Sequence, residues 1–372
     1  PPEGHVEVIV VNNMPENASR EVIGLNDEIA DKTAAWINKH STNEFHFLLI
    51  KSLKMPEKEA GVGFARKTGM DQALYRFNHN DYPAGIILSF DADSRCDPDY
   101  FTAIEDTIFK YPLLNGFNIY YEHPVTGYEF PKVVYRAIVE YEMHLRYLNL
   151  FIRFTGFPHA YHTVGSCFGV RAATYAREGG MNKKKAGEDF YFLHKIIPLG
   201  EFHEINSTRV IPSPRESGRV PFGTGAAIRK YIEPGKQCIF TYSPACFHDL
   251  KSFFRTSGDF YRMDPDQIVT TISCLPESIK NYLSDIHAPD SILEINANSG
   301  SRESFTNRFF RWFDAFRVIK YLNYAGRLYY EKVEVRQAVT EYLKESGISF
   351  PSGIPDNPDL LHILREMERT RR

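Results

Sequence analysis

Cysteine is scarce and unpatterned in this chain. Its five residues, Cys96, Cys167, Cys238, Cys246 and Cys274, are odd in number and form no Cys-x-x-Cys pair. That argues against a disulfide framework and a zinc site, and favours a reducing compartment. No apolar run approaches the length of a transmembrane helix, and no signal peptide opens the sequence. A preponderance of one charge is missing too: with a net charge of -3, nothing supports a nucleic-acid partner, a reading that starts from a basic patch or a high pI. There is no internal repeat and no low-complexity tract. The expectation is a soluble cytoplasmic protein. Its 372 residues at 43% hydrophobic content are enough for one large domain or two smaller ones.

What is present is alternation. Residues 6–11, 44–50, 85–90 and 114–121 read as strands, and 19–39, 63–77 and 99–110 as the helices between them. That order predicts an α/β fold with a mostly parallel sheet covered by helices on both faces. A long aromatic-rich helix is expected over 132–154, then a further helix after Glu188-Asp189 and a strand over 202–210. Beyond about residue 250 the pattern is mainly helical. The 22 tyrosines and 28 phenylalanines suit a carbohydrate-facing cleft, although a core is the expected destination of most of them.

The most informative segment is the apolar run 84–90, which ends abruptly in Asp91-Ala92-Asp93. On an extended chain, side chains at i and i+2 leave on one face, so both carboxylates would point at one hard cation and the diphosphate it bridges. The bland alternative is a polar turn. Far along the chain, Glu188-Asp189 follow a glycine-bearing loop at the start of a helical pattern, where acids also serve as caps or dipole partners. Arg215 and Arg219 lie in a loop, 212–225, with three glycines and two serines. Arginine forks match phosphate oxygens, so this loop is a candidate cover for a diphosphate, with a plain surface loop as the alternative. Arg66 and Lys67 are candidates for facing the nucleotide, or for a solvated helix face. His162 and His248 are weaker metal-ligand candidates. Residues 302–330 interleave aromatics with arginines and lysines. Packing inside the protein is the favoured reading of that segment, and a peripheral contact with the inner face of a membrane is the other.

The order of these pieces resembles the family 2 glycosyltransferases. Four segments carry the resemblance: the opening strand Val6 to Asn13, the stretch Gly61 to Ala73, the strand end at Asp91-Ala92-Asp93, and Gly165 to Arg171 leading to Gly179-Gly180 and Glu188-Asp189. Together they cover residues 5 to 225. The resemblance implies the GT-A fold, a Rossmann-like nucleotide-diphospho-sugar transferase sheet, over 1–250. Within it 1–125 would be the nucleotide-sugar half and 126–250 the acceptor half, with a helical region over 251–372. It implies an inverting transferase with Mn²⁺ or Mg²⁺ on Asp93, Asp91 facing the ribose or metal-bound water, Asp189 as general base and Glu188 orienting acceptor or helix. Asn12, Asn13, Arg66, Arg215 and Arg219 would contact a UDP- or GDP-sugar, and the acceptor would be a carbohydrate or a lipid-linked sugar. Two turns depart from the family pattern: Asn12 to Asn17 after the first strand, and Ile50 to Lys54 where an acidic turn normally touches the base. The nucleotide is therefore not assigned between uridine and guanosine. A sugar nucleotidyltransferase ranks low, because Asn12-Asn13-Met14-Pro15 stands where its glycine-rich loop belongs. A non-catalytic nucleotide-sugar- or carbohydrate-binding relative is the other alternative.

Overall fold

The computed structural model describes residues 4–218 and 223–370. Strands and helices alternate at first: β1 (Val6–Pro15), α1 (Arg20–His40), β2 (Phe45–Met55), α2 (Val62–His79), β3 (Ile86–Ser89), the short β4 (Arg95–Cys96), α3 (Tyr100–Lys110) and β5 (Gly116–Tyr121). Next come α4 (Lys132–Phe154), β6 (Phe168–Arg171), α5 (Ala172–Arg177), α6 (Glu188–Ile196), β7 (Phe202–Ile211), α7 (Thr224–Ile232) and β8 (Phe240–Thr241). The remainder is helical: α8 (Pro244–Thr256), α9 (Pro265–Ser273), α10 (Glu277–Asp285), α11 (Ala288–Ala297), α12 (Arg302–Trp312) and α13 (Ala315–Leu328) precede β9 (Val333–Glu334), α14 (Val335–Glu345) and α15 (Asn357–Arg369). No helix among the described residues is long and apolar enough to cross a membrane.

The chain forms two compact units, Pro1–Pro124 with His162–Arg229, and Val125–Tyr161 with Lys230–Arg372. The first unit is α/β, but its sheet is not the mostly parallel one expected. Five strands lie in the order β3-β6-β5-β7-β4. β5 and β7 pair in parallel, whereas β6 runs against both β3 and β5, and β4 runs against β7. β6 fills the slot between two strands that the alternation pattern would have made neighbours. The glycine in β6 makes that fit possible: a Cβ on Gly169 would stand 2.3 Å from the Phe117 ring of β5. β5 is central in the order and every one of its residues is buried, as expected of an interior strand with both faces covered.

β1 and β2 pair with each other, in parallel, as a separate two-stranded sheet. Their register slips between Val11 and Asn13, where Ser52 of β2 adopts a left-handed backbone with φ of 51°. The Asn12 side chain holds this bulge. Its oxygen accepts from the Ser52 N–H at 3.1 Å, and its amide nitrogen donates to the Asn26 side chain on α1 at 2.9 Å.

The second unit is built around α4, which buries residues on several faces, from Val134 and Tyr135 to Leu150 and Phe151. Two of its buried residues are charged. Arg146 is fully buried and pairs with Glu142 one turn away at 2.8 Å and with Glu368 of α15, while Arg365 of α15 reaches Glu142 at 2.7 Å. The aromatic segment 302–330 packs into this unit. Phe309, Phe310 and Phe313 meet Phe253, Phe254 and Phe260, Phe305 meets Tyr261, and Val318, Tyr321 and Leu322 are buried too. The apolar face that a membrane contact would need is thereby used inside the protein.

Candidate active site

β3 ends at Ser89, and the chain turns at once: the Ser94 N–H donates to the Asp91 carbonyl at 2.9 Å. The expectation of an extended Asp91-Ala92-Asp93 with both carboxylates on one face is corrected here. A tight turn breaks the two-residue alternation, and each aspartate finds its own arginine. Asp91 accepts from Arg66 at 2.6 Å, and Asp93 pairs with Arg215.

Arg66 draws the site together. It lies on α2, its side chain is only 8% exposed, and its other terminal nitrogen is paired with Glu188. One guanidinium thus bridges two acidic motifs that are distant in sequence. Glycines make the room. A Cβ on Gly165 would stand 2.7 to 2.9 Å from the Arg66 guanidinium, and one on Gly63 would sit 2.1 Å from the Lys184 carbonyl oxygen and 3.0 Å from the Glu188 Cβ. The loop that carries Glu188 therefore lies directly on α2. The Ser89 hydroxyl donates to the Gly165 carbonyl at 2.6 Å, which ties the end of β3 to the same spot. Burial works against the charge on Arg66, but Asp91, Glu188 and Asp189 outweigh it, so the guanidinium is held more firmly protonated than usual.

Glu188 and Asp189 open α6, whose N-cap residue Gly187 has φ of 69°, a left-handed conformation that glycine adopts without strain. The Asn182 amide donates to the Glu188 carbonyl at 2.9 Å and fixes the preceding loop. Glu188 is buried and committed to Arg66. Asp189 is half-buried, and one of its oxygens accepts from the Phe190 N–H at 2.7 Å. Asp189 therefore also serves the helix start. Burial pushes the Glu188 carboxyl up to about 7; Arg66 opposes this, and the neighbouring Asp189 adds to it. Asp189 is raised as well, again chiefly by burial and against Arg66. Two adjacent carboxyls with one cation between them cannot both ionise cheaply.

A second set of residues frames the turn and was not singled out from the sequence. Arg209 of β7 pairs with Asp97 at 3.1 Å and Glu122 at 2.7 Å, and the Thr208 hydroxyl donates to Asp99 at 2.7 Å. The signal was present: acids at 91, 93, 97 and 99 are more than a turn requires, and Arg209 lies in the expected strand 202–210. These bonds pin 95–99 to β7, from whose end the Arg215 segment departs.

Asn12 serves the β2 bulge, and the Asn13 amide donates back to the Val11 carbonyl at 3.3 Å. Neither is joined to the acidic cluster by these bonds. Lys67 pairs with Asp71 along α2 at 2.8 Å, and Asp71 also accepts from Tyr175 at 2.7 Å. His162 packs edge-on against Tyr121, and His248, in the second unit, pairs with Glu345 at 3.1 Å. Arg219 lies outside the described residues. Burial pushes the Cys167 thiol up to about 12, away from the thiolate form.

Among the described residues no three His, Cys, Asp or Glu side chains gather as a metal cage. Asp91 and Asp93 fit a Mg²⁺- or Mn²⁺-type site only in the sparse form, in which one or two carboxylates share the ion with substrate phosphates. A scan against protein-family models finds no match, and no curated protein matches the chain.

Proposed function

We propose that this chain is an inverting glycosyltransferase of the family 2 type, on a GT-A fold, moving a sugar from a UDP- or GDP-sugar to a hydroxyl of a carbohydrate or lipid-linked acceptor in the cytoplasm. The observation that carries the reading is the bridge of Arg66 from Asp91 to Glu188. It joins an acidic strand end, where ligands of α/β sheets bind, to an acidic helix start. A donor diphosphate would lie over Asp91 and Asp93, with Arg215 available to its oxygens and Arg66, itself committed to Asp91 and Glu188, adding positive charge beneath it. Mn²⁺ or Mg²⁺ held by Asp93, with Asp91 beside it, would supply Lewis-acid stabilisation of the leaving diphosphate.

Asp189 would take the acceptor proton as the hydroxyl oxygen attacks the anomeric carbon from the face opposite the diphosphate. A carboxyl raised by burial is a stronger base than one with an ordinary affinity for protons. Glu188, buried on Arg66, would orient its neighbour rather than exchange protons with the acceptor. A non-catalytic nucleotide-sugar-binding relative is the second reading, favoured by the helix-start bond that already occupies Asp189.

Calorimetry and a transfer assay on one preparation separate the two. Asp189→Asn is expected to keep Mn²⁺-dependent affinity for UDP or GDP while transfer falls by a factor on the order of 10² or more. Transfer at the parental rate in the variant would place the base elsewhere. Nucleotide binding without turnover by the parent protein would select the second reading.

A further inference from the structure

Asp93, the carboxylate proposed for the cation, is paired with an arginine. Arg215 and Asp93 are about equally exposed, at 44% and 39%, so their bond is in water and easily exchanged. Arg215 is nonetheless well presented. Pro212 and Pro214 fix the backbone on either side of Ser213, and the Arg215 N–H donates to the Ser213 hydroxyl at 3.4 Å. Asp91 differs, because its partner Arg66 is buried and also held by Glu188 in a space left by Gly165. One carboxylate has a fixed counter-ion and the other a removable one.

On the nucleotide-sugar reading above, we infer that Arg215 is the resident counter-ion of Asp93, and that cation and diphosphate enter together by partner exchange. Arg215 passes from carboxylate to phosphate as the cation takes Asp93. A cation arriving alone must displace Arg215 into water and lose that ion pair with nothing in return. A cation arriving with a diphosphate gives the guanidinium an anionic partner of matching geometry, so no charge is left without a counter-ion. Arg66 takes no part in the exchange and keeps Asp91 beside Glu188 throughout. The consequence is synergy: each ligand is bound weakly without the other, and Arg215 has opposite effects on the two.

The test compares the full chain with R215Q and with R215Q combined with D93N. Binding of Mn²⁺ alone is followed by water-proton relaxation, and binding of UDP and GDP in Mn²⁺ by calorimetry. R215Q is expected to bind Mn²⁺ alone about two- to fivefold more tightly, the range set by an exposed ion pair. The same variant is expected to lose about tenfold in Mn²⁺-dependent nucleotide affinity, as one charge-assisted contact is removed. Adding D93N should abolish the gain for Mn²⁺, placing the ion on that carboxylate. Normal nucleotide binding by the parent with no gain, or a loss, for Mn²⁺ in R215Q overturns the exchange alone. A parent protein that binds neither UDP nor GDP in Mn²⁺ sinks the donor reading, and the exchange with it.

Discussion

Replacing Glu188 by glutamine tests the electrostatics of the site without any knowledge of its substrate. Glu188 is 3% exposed, and burial raises its carboxyl from 4.5 to about 7. A carboxyl whose folded value lies above its unfolded one stabilises the fold fully below the unfolded value and loses that contribution as pH rises through the folded value. The window here runs from about pH 4.5 to about pH 7. A shift of this size corresponds to roughly 3 kcal/mol, an upper figure because Asp189 shares the protons. Glutamine keeps the shape and removes the titration. The variant is therefore expected to lose most stability, relative to the parent, near pH 5, where the parent carries a neutral carboxyl. The gap should narrow by about 1 to 3 kcal/mol by pH 8, where the parent bears the full cost of a buried charge. Urea unfolding of both proteins at several pH values measures this difference, and groups titrating elsewhere cancel in the comparison. A gap constant to within about 0.5 kcal/mol from pH 5 to 8 would refute the reasoning, because Glu188 would then ionise in the fold as it does in the unfolded chain.

Three further outcomes follow from the geometry. Asp93→Asn should abolish Mn²⁺-dependent binding of UDP or GDP in calorimetry while leaving the thermal midpoint nearly unchanged, since the residue is half-exposed and its partner Arg215 is free to meet water; undiminished affinity would remove Asp93 from the metal site. Gly63→Ala drives a Cβ to within 2.1 Å of the Lys184 carbonyl oxygen, so it should cost about 1 to 3 kcal/mol in urea unfolding and separate α2 from the loop before α6; a neutral result would mean that this contact yields. Arg146→Met leaves Glu142 and Glu368 buried with one cation fewer, for an expected loss of about 3 to 5 kcal/mol. Reversal of most of that loss in a triple variant that also makes both glutamates neutral would identify unpaired charge, rather than lost packing, as the cause.

The alternation of elements was legible because it is a local pattern. Every strand and helix expected over the first 121 residues forms, and α4 covers 132–154 as its aromatic spacing indicated. Strand direction was not legible. β4 has two residues and β6 four, too few for a period to register, and their antiparallel pairing is decided by where the chain re-enters the sheet after α4. The acidic strand end was found from the sequence but its conformation was not, since Asp and Ser close a turn as readily as they extend a strand. Asn12 and Asn13 were read by position in a family pattern, and position says nothing of the bulge at Ser52 that claims the Asn12 side chain.

The Glu188-Asp189 pair shows why a motif names residues more reliably than it assigns their roles. Neighbours on a helix leave its axis about 100° apart, so two adjacent acids in a first turn point in different directions. Here Glu188 leads onto Arg66 while Asp189 turns back to the Phe190 N–H, and glycines far away in sequence make room for the first. Gly165 lets the guanidinium in, and Gly63 lets the Glu188 loop lie against α2. A Cβ at Gly165 would crowd the Arg66 guanidinium and one at Gly63 the Glu188 loop, so both positions bear on the Glu188–Arg66 pair. The difference between the two acids therefore belongs to α2 and to the segment before β6 as much as to the acidic pair itself.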